Sequence, residues 1–329
     1  MFKDIKQVMK DSVLYGIGNV AVKLVGFILI PLYTDAEYFS TADYGLMGLL
    51  EVTSQILIAV MGLSLYSGLI RWYWDAEYRD KQKTIFFTTL LFTILTSLCI
   101  GSVLWLNVGE LSALLVQQEG YSLGGELPYI LQLLILTSML GAVVEVPQNL
   151  LRLQRKPIYY SLTNIVRLFA TLVLTIYFTI SLHRGVSGVY EAQLVGIVIQ
   201  LLMVLPLVIK NSSCRVDRKC TIQLLAYSYP LVFPAIVGSL LTVFDRYIIN
   251  HFQGLDDVGF YSLGYKVGNT LKVFIVTSVQ LALTPLLMKK MNDPDNKRFY
   301  SKVLTYFSFG LMFCCFDYKF AGILNMFLC

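Results

Sequence analysis

An all-α polytopic membrane protein with about nine transmembrane helices is expected from three observations: long apolar runs, basic residues confined to alternate gaps, and an internal repeat. Of 329 residues, 56% are hydrophobic and 14% charged, and the mean hydropathy is +0.66, too apolar for a water-soluble domain of this length. A hydrocarbon core about 30 Å thick takes roughly 20 helical residues per crossing. Runs of about that length or longer occupy 12–33, 45–70, 84–106, 128–150, 158–182, 186–209, 223–249, 258–288 and 301–328. Strands do not fit, because membrane strands alternate in polarity over about ten residues. Thr84 to Leu106, by contrast, is apolar on every face.

Charge gives the runs a direction. Nineteen of the 26 Lys and Arg lie in five segments, Lys3–Lys10, Arg71–Lys83, Arg152–Lys156, Lys210–Lys219 and Lys289–Lys302, which are every second gap. The other gaps, 34–43, 107–127, 183–185 and 250–258, hold one basic residue, Arg184, and eight Asp or Glu. Basic loops resist translocation, so the basic gaps and the N-terminus are expected in the cytoplasm. The pI of 8.7 reflects these loops, which would meet anionic headgroups, and gives no sign of a nucleic-acid partner.

The first run is too long for a signal-peptide core and lacks a small-residue cleavage site, so it is expected to stay as an anchor. Its Ser12, Tyr15, Asn19, Lys23 and Gly26 recur at three- or four-residue steps and share one face. Run 2 follows the acidic turn 34–43, carries Glu51 and ends at Arg71. Run 3 is apolar, run 4 contains Glu145, and run 5 contains Arg167, expected to pair with a neighbouring group. Run 6 has Glu191 near an end, within reach of water. Asp245 and Arg246 lie near the outer end of run 7, where a structural Asp-Arg clamp and a substrate contact both remain open. Run 8 has a stripe of Ser262, Lys266, Asn269 and Gln280, with Lys272 beside it, and run 9 has Asp317 and Lys319 in its middle. Pro31, Pro147, Pro230, Pro234 and Pro285, near or within helix ends, permit kinks.

Several chemistries are set aside. None of the six cysteines has zinc-finger or Cys-x-x-Cys spacing, and His183 and His251 have no partners at metal-ligand spacing, so no metal and no cofactor is expected. Gly16, Gly18 and Ala21 imitate a dinucleotide fingerprint, but no strand precedes them and they sit inside a membrane run.

Shifting the chain by 214 residues lays Tyr15 on Tyr229, Asp43 on Asp257, Gly45 on Gly259 and Leu63 on Thr277. Each copy has a basic start, a helix, an acidic turn ending Asp-x-Gly and a returning helix. Runs 1 to 6 begin and end on one side, so the copies are parallel repeats of the kind transporters build around a midplane site. The domains expected are a six-helix lobe, 1–210, and a partial second lobe, 211–329, with three of its six helices. A truncated reading frame, a fragment or a frameshifted tail would each account for that count.

Six basic residues fall inside the runs: Lys23, Arg167, Arg246, Lys266, Lys272 and Lys319. Each costs about 2.5–3.5 kcal/mol at a helix centre on insertion scales, so they are expected to face an aqueous cavity or to pair with Glu51, Glu145 or Asp245. The polar stripes of runs 1 and 8 would confront one cavity, whose cations suit an anionic cargo.

The stretch Tyr227–Gly268, with Asp-Arg and GFYSLGYK, resembles the signature region of Wzx-type lipid-linked oligosaccharide flippases of polysaccharide biosynthesis. The opening helix YGIGNVAVKLVGFILIPLYT, the ADYGL turn, LIRWYWD and LRLQRKPIYYSLTNIV match the same pattern over residues 10 to about 310. The resemblance implies a two-lobed bundle shared with multidrug and toxin extrusion (MATE) transporters and lipid II flippases, which usually have more helices than this chain. It implies an undecaprenyl-diphosphate-linked glycan as passenger, carried across the bacterial inner membrane for O-antigen or other surface polysaccharide, with membrane lipids and glycan polymerase machinery as partners. On that reading Lys23, Lys266 and Lys272 hold the diphosphate, Asn19 and Asn269 line the cavity, and Arg71 receives the headgroup. Glu51, Arg167, Asp245 and Arg246 are then structural or gating.

The function expected is therefore flipping without any bond made or broken, not an enzyme reaction. Alternatives of other kinds stay open: a drug exporter of the same fold coupled to sodium or protons, a nonfunctional flippase remnant, and an intramembrane glycan polymerase or acyltransferase. The last needs acids and bases on sizeable outer loops, whereas 107–127 has no His, Lys or Arg.

Overall fold

The computed structural model describes residues 29–115, 125–213 and 215–271, with scattered residues between 297 and 312. The chain divides into two compact units, Ile17–Gly268 and a second made of Met1–Gly16 with Asn269–Cys329. Among the described residues there is helix and no strand. The helices are α1 (Ile30–Tyr33), α2 (Thr41–Gly62), α3 (Leu65–Trp72), α4 (Gln82–Leu106), α5 (Val108–Leu115), α6 (Leu127–Leu153), α7 (Pro157–Ile176), α8 (Gly185–Asn211), α9 (Arg218–Phe252) and α10 (Leu255–Leu271). A 3₁₀ turn, Ala76–Lys81, precedes α4, and a π turn, Tyr177–Ser181, extends α7. All lie in the first unit except the last three residues of α10.

Six helices among the described residues are long and apolar enough to cross a membrane: Thr41–Gly62, Tyr78–Leu106, Leu127–Leu153, Pro157–Ser181, Gly185–Asn211 and Arg218–Leu241. They match expected runs 2 to 7. Most of runs 1 and 9, and run 8 beyond Leu271, fall outside the described residues.

Local chemistry sets the helix ends. The Ser40 hydroxyl accepts from the Asp43 N–H at 3.1 Å while the Asp43 carboxylate accepts from the Ser40 N–H at 2.9 Å, a capping box that starts α2. Prolines occupy the first turns of α6 and α7, where no intrahelical N–H bond is lost. Arg155 closes α6 in the left-handed region (φ 52°), with the Lys156 N–H on the Leu151 carbonyl at 2.9 Å.

The outer surface of the bundle, unlike that of a soluble protein, is apolar. On α7, Ile158, Leu162, Ile165, Phe169, Val173 and Ile176 form one exposed apolar face at three- and four-residue steps. The opposite face packs on α6 and α8 and is polar. There the Arg167 guanidinium donates to Gln200 Oε1 at 3.0 Å, Gln200 donates to Asn164 Oδ1 at 3.0 Å, and Gln148 donates to Thr163 at 2.9 Å. An apolar rim around a hydrogen-bonded interior is what lipid demands, since unpaired polar groups are costly there. Arg167 thus has the partner expected of it, an amide and not a carboxylate. The apolar core lies between α2, α6 and α8, where Leu46, Leu49, Leu50, Ile130, Leu131 and Leu134 are essentially inaccessible.

Alternate gaps gather at opposite ends, as the charge pattern requires. At one end Lys81 meets Asp217 at 2.5 Å, Thr84 meets Ser213 at 3.0 Å, and Gln154 donates to Tyr73 at 3.2 Å and to Asn211 at 2.9 Å. At the other, Arg184 meets Glu191 at 2.7 Å and Tyr129 donates to Glu191 at 2.9 Å. The hydrogen bond from Lys81, followed by that from the Lys219 N–H, holds the Asp217 carboxyl below the usual carboxylate range. A depressed carboxyl supports the tie above its unfolded value, about pH 3.9, and that support is lost as pH falls through the folded value. Amide exchange at Lys219, corrected for its intrinsic pH dependence, is therefore expected to accelerate below about pH 4; a flat profile would contradict the tie.

Run 2 departs from expectation at one point. The run is expected to be continuous from 45 to 70, but it breaks at Leu63 and Ser64, consecutive left-handed residues at φ 44° and 50°. Such residues cost about 1–2 kcal/mol each, and no proline flags the position. The break is held from both sides, by Thr96 donating to the Met61 carbonyl at 2.8 Å and Ser64 reaching the Leu231 carbonyl at 3.4 Å.

Candidate functional site

Besides the Arg167 network, two places among the described residues of the first unit carry ionisable groups inside the helices. The first is the crossing of α2 and α10. A Cβ on Gly45 would collide with the Leu255 carbonyl, and one on Gly259 would stand 2.5 Å from the Thr41 carbonyl. The two contacts are reciprocal at the 214-residue offset read from the sequence: 41 corresponds to 255, and 45 to 259. Small residues let the two backbones touch, as in close membrane helix pairs. Ser262, one turn on, lies against Gly48, with its Cβ 2.9 Å from where a Cβ would stand. Ser262 therefore belongs to this contact and not to a cavity wall, which corrects the stripe expected of run 8.

Around the crossing, aromatic rings receive the cations. Lys266 Nζ lies 5.3 Å from the Tyr33 ring centre and 5.8 Å from that of Tyr44, and Arg246 Cζ lies 4.7 Å from the Tyr265 ring centre. Tyr33 and Tyr44 are buried and touch one another, with Glu51, itself exposed, within electrostatic reach of both. Lys266 is half-buried, 11 residues or about 16 Å along α10 from Leu255. A ring face suits an ammonium because its quadrupole presents negative charge without the desolvation cost of a carboxylate.

Arg246 is 6% exposed, and its Nη1 donates to the Gly48 carbonyl at 3.5 Å, while its Nε has no hydrogen-bond partner among the described residues. The Asp-Arg clamp does not form between side chains. Asp245 instead accepts from the Arg246 backbone N–H at 2.9 Å and from the Tyr261 hydroxyl. The guanidinium turns inward to α2 and Tyr265, the carboxylate outward.

The second place is a cavity of about 500 Å³ lined by α2 (Gln55, Ile58, Ala59, Gly62), the break (Ser64, Tyr66), α6 (Glu145) and α9 (Pro234, Ala235, Gly238, Ser239). Among its described lining residues Glu145 is the one charged group, and none is Lys or Arg. The described part of the bundle therefore places a carboxylate on a cavity wall.

Of the other expected cavity residues, Arg71 and Asn269 are among those described. Arg71 is exposed at the end of α3, its guanidinium 5.2 Å from the Trp72 ring centre. Asn269 is half-buried and belongs to the second unit. Lys23, Asn19 and Lys272 lie outside the described residues. Sequence reasoning missed Tyr33, Tyr44 and Tyr265 as cation platforms; their spacing from the lysines in sequence carries no signal. Glu145 was visible as an acid in a run, and its cavity was not.

Among the described residues no group of His, Cys, Asp and Glu is arranged to hold a metal ion. Comparison with solved structures finds the fold of this helical bundle in MATE-type and other MOP-superfamily transporters. The chain matches the MATE multidrug transporter DinF-BH at a TM-score of 0.68 and 16% identity, over 93% of this chain and 71% of that one. It matches a mutant of the Vibrio cholerae MATE transporter VcmN at 0.60 and 16%, over 87% and 66%. It matches a MOP-superfamily transporter from Pyrococcus furiosus, described by the reverse polarity of its binding pocket, at 0.62 and 15%, over 92% and 70%. At these identities the shared property is the fold.

The family is shown by the sequence itself: the polysaccharide biosynthesis protein family model matches residues 8–291, and the chain belongs to that family. Comparison with curated proteins finds no match.

Proposed function

We propose that this chain moves an undecaprenyl-diphosphate-linked oligosaccharide unit from the cytoplasmic to the outer leaflet of the bacterial inner membrane, by alternating access and without covalent chemistry. The observation that carries the reading is the pair of cations at the α2–α10 crossing, Lys266 on two tyrosine faces and Arg246 buried beside Gly48 and Tyr265. An anionic headgroup is the passenger such charges recruit, and family membership supplies the glycan. The lobes would be 1–210 and 211–329, with the N-terminus in the cytoplasm and the glycan polymerase machinery downstream. Lys23, Lys272, Asn19 and Asn269 are the further contacts this reading expects, and Arg71 the receiving residue at the inner surface.

A second reading, export of amphipathic cations coupled to sodium or protons, is favoured by Glu145 on the cavity wall. One assay separates them. Purified full-length chain is reconstituted with lipid-linked oligosaccharide extracted from the host, and lectin accessibility is followed. Chain-dependent exposure of the glycan supports flipping. Exposure equal to that of empty vesicles, with a rhodamine dye transported instead, overturns it.

A further inference from the structure

We infer that the break at Leu63 and Ser64 is a hinge that lets the two ends of run 2 release the proposed second lobe one at a time; this rests on the alternating access proposed above. Run 2 meets that lobe on both sides of the break. On the α2 side, Gly45 and Gly259 lock it to α10, and α9 reaches it through Arg246 on the Gly48 carbonyl and through Tyr247, whose hydroxyl stands 2.7 Å from that of Thr53. On the other side, α3 lies against α9. A Cβ on Gly68 would stand 2.8 Å from Ser228 Oγ and 3.3 Å from the Leu224 carbonyl, and the Trp72 and Tyr227 rings meet edge to face at 6.3 Å. The turn after α3 adds two ties, Lys81 to Asp217 at 2.5 Å and the Tyr78 hydroxyl to Gln223.

Alternating access needs one of these contacts to part while the other holds. At 1.5 Å per residue, α2 and α3 are about 33 and 12 Å long. A rigid run pivoting at the glycines would carry Leu50 and Met61, both inaccessible, out of the core along with α3. A joint at 63–64 confines the movement to the eight residues of α3 and the turn behind them. Three observations place the joint there. Consecutive residues at φ 44° and 50° interrupt the helix, and left-handed residues of this kind collect at switch regions. The end of α2 is anchored within the first lobe by Thr96 on the Met61 carbonyl at 2.8 Å, whereas Ser64 reaches across to the Leu231 carbonyl at a longer 3.4 Å. Leu231 sits between Pro230 and Pro234 of α9, and each proline lacks the N–H that would bond the fourth carbonyl before it. The weak point of run 2 thus faces the weak point of α9, and Gly62, Ser64 and Pro234 line one cavity.

The test uses the full chain in lipid nanodiscs, with hydrogen–deuterium exchange read by mass spectrometry at 66–83 and at 41–50. Lys81→Met with Gln223→Leu removes both ties of the turn and leaves the joint alone. Exchange at 66–83 is expected to rise about threefold or more, while 41–50 stays within about 1.5-fold of the unaltered chain. Equal rises at both ends, or no rise at 66–83, would overturn the inference. The joint itself is then changed in two ways and followed by the lectin assay. Glycine takes a left-handed backbone freely, so Leu63→Gly with Ser64→Gly keeps the joint and is expected to retain glycan exposure within about threefold. A β-branched residue resists that backbone, so Leu63→Val with Ser64→Val favours a continuous run and is expected to lower exposure by about tenfold or more. Exposure from the Gly pair no higher than that from the Val pair would reduce the break to a matter of packing and overturn the hinge. If the Val pair loses its monodisperse peak, the exchange comparison still decides. An unaltered chain that exposes no glycan would end the flippase reading, and the exchange comparison would still judge the hinge.

Discussion

Gly45→Ala is expected to be the most damaging single-methyl change in the described bundle. The added carbon would occupy the same space as the Leu255 carbonyl oxygen and come within 2.9 Å of the Gly259 nitrogen, and both are backbone atoms that no rotamer change can move. Overpacking a tight contact typically costs about 1–3 kcal/mol, and more where the backbone must shift. We expect a lower midpoint of thermal unfolding in detergent and a smaller monodisperse fraction. Gly259→Ala is expected to behave alike, since its Cβ would stand 2.5 Å from the Thr41 carbonyl. The double variant should lose less than the sum, because a single separation of the helices relieves both clashes. Gly109→Ala is the control, with nothing within 4 Å of its Cβ among the described residues. Gly45→Ala as stable as that control would mean α2 and α10 do not touch there.

Lys266→Met carries the second large effect. Methionine keeps an unbranched apolar stem over Tyr33 and Tyr44 and removes only the charge. A partly desolvated cation is worth about 2 kcal/mol or more on a ring face, and contributes further to any diphosphate it meets. On the proposed flippase function, surface glycan made by cells that depend on this chain is expected to fall by about tenfold or more, at unchanged protein level. Lys266→Arg should retain most export, because guanidinium also stacks on aromatic faces. Full glycan output from the Met variant would remove Lys266 from the transport path. If both variants fail equally, the requirement is one of shape and not of charge.

The large-scale architecture was legible because its physics is one-dimensional. Run length and the alternation of basic gaps need no knowledge of neighbours, and six runs appear where expected, with their gaps sorted to opposite ends. The 214-residue offset was legible for a similar reason, and its glycines Gly45 and Gly259 proved to touch. What sequence could not provide was direction. Arg246 follows Asp245 in the chain, yet successive residues on a helix point about 100° apart, so their side chains serve different neighbours. Ser262 fits a polar stripe by spacing, but a helix pressed against it removes it from water. The break at Leu63 and Ser64 escaped because neither residue announces a left-handed backbone. Tertiary bonds from Thr96 and towards Leu231 hold it, and these are separated in sequence by dozens of residues.

The reciprocity at Gly45 and Gly259 has a consequence for ancestry. A patch that meets its own counterpart is self-complementary, which is the requirement for an isologous dimer of two identical halves. Two separate polypeptides that each carried this segment would meet the same geometric requirement. Such a junction needs no covalent link to exist, and substitution is least free at these glycines.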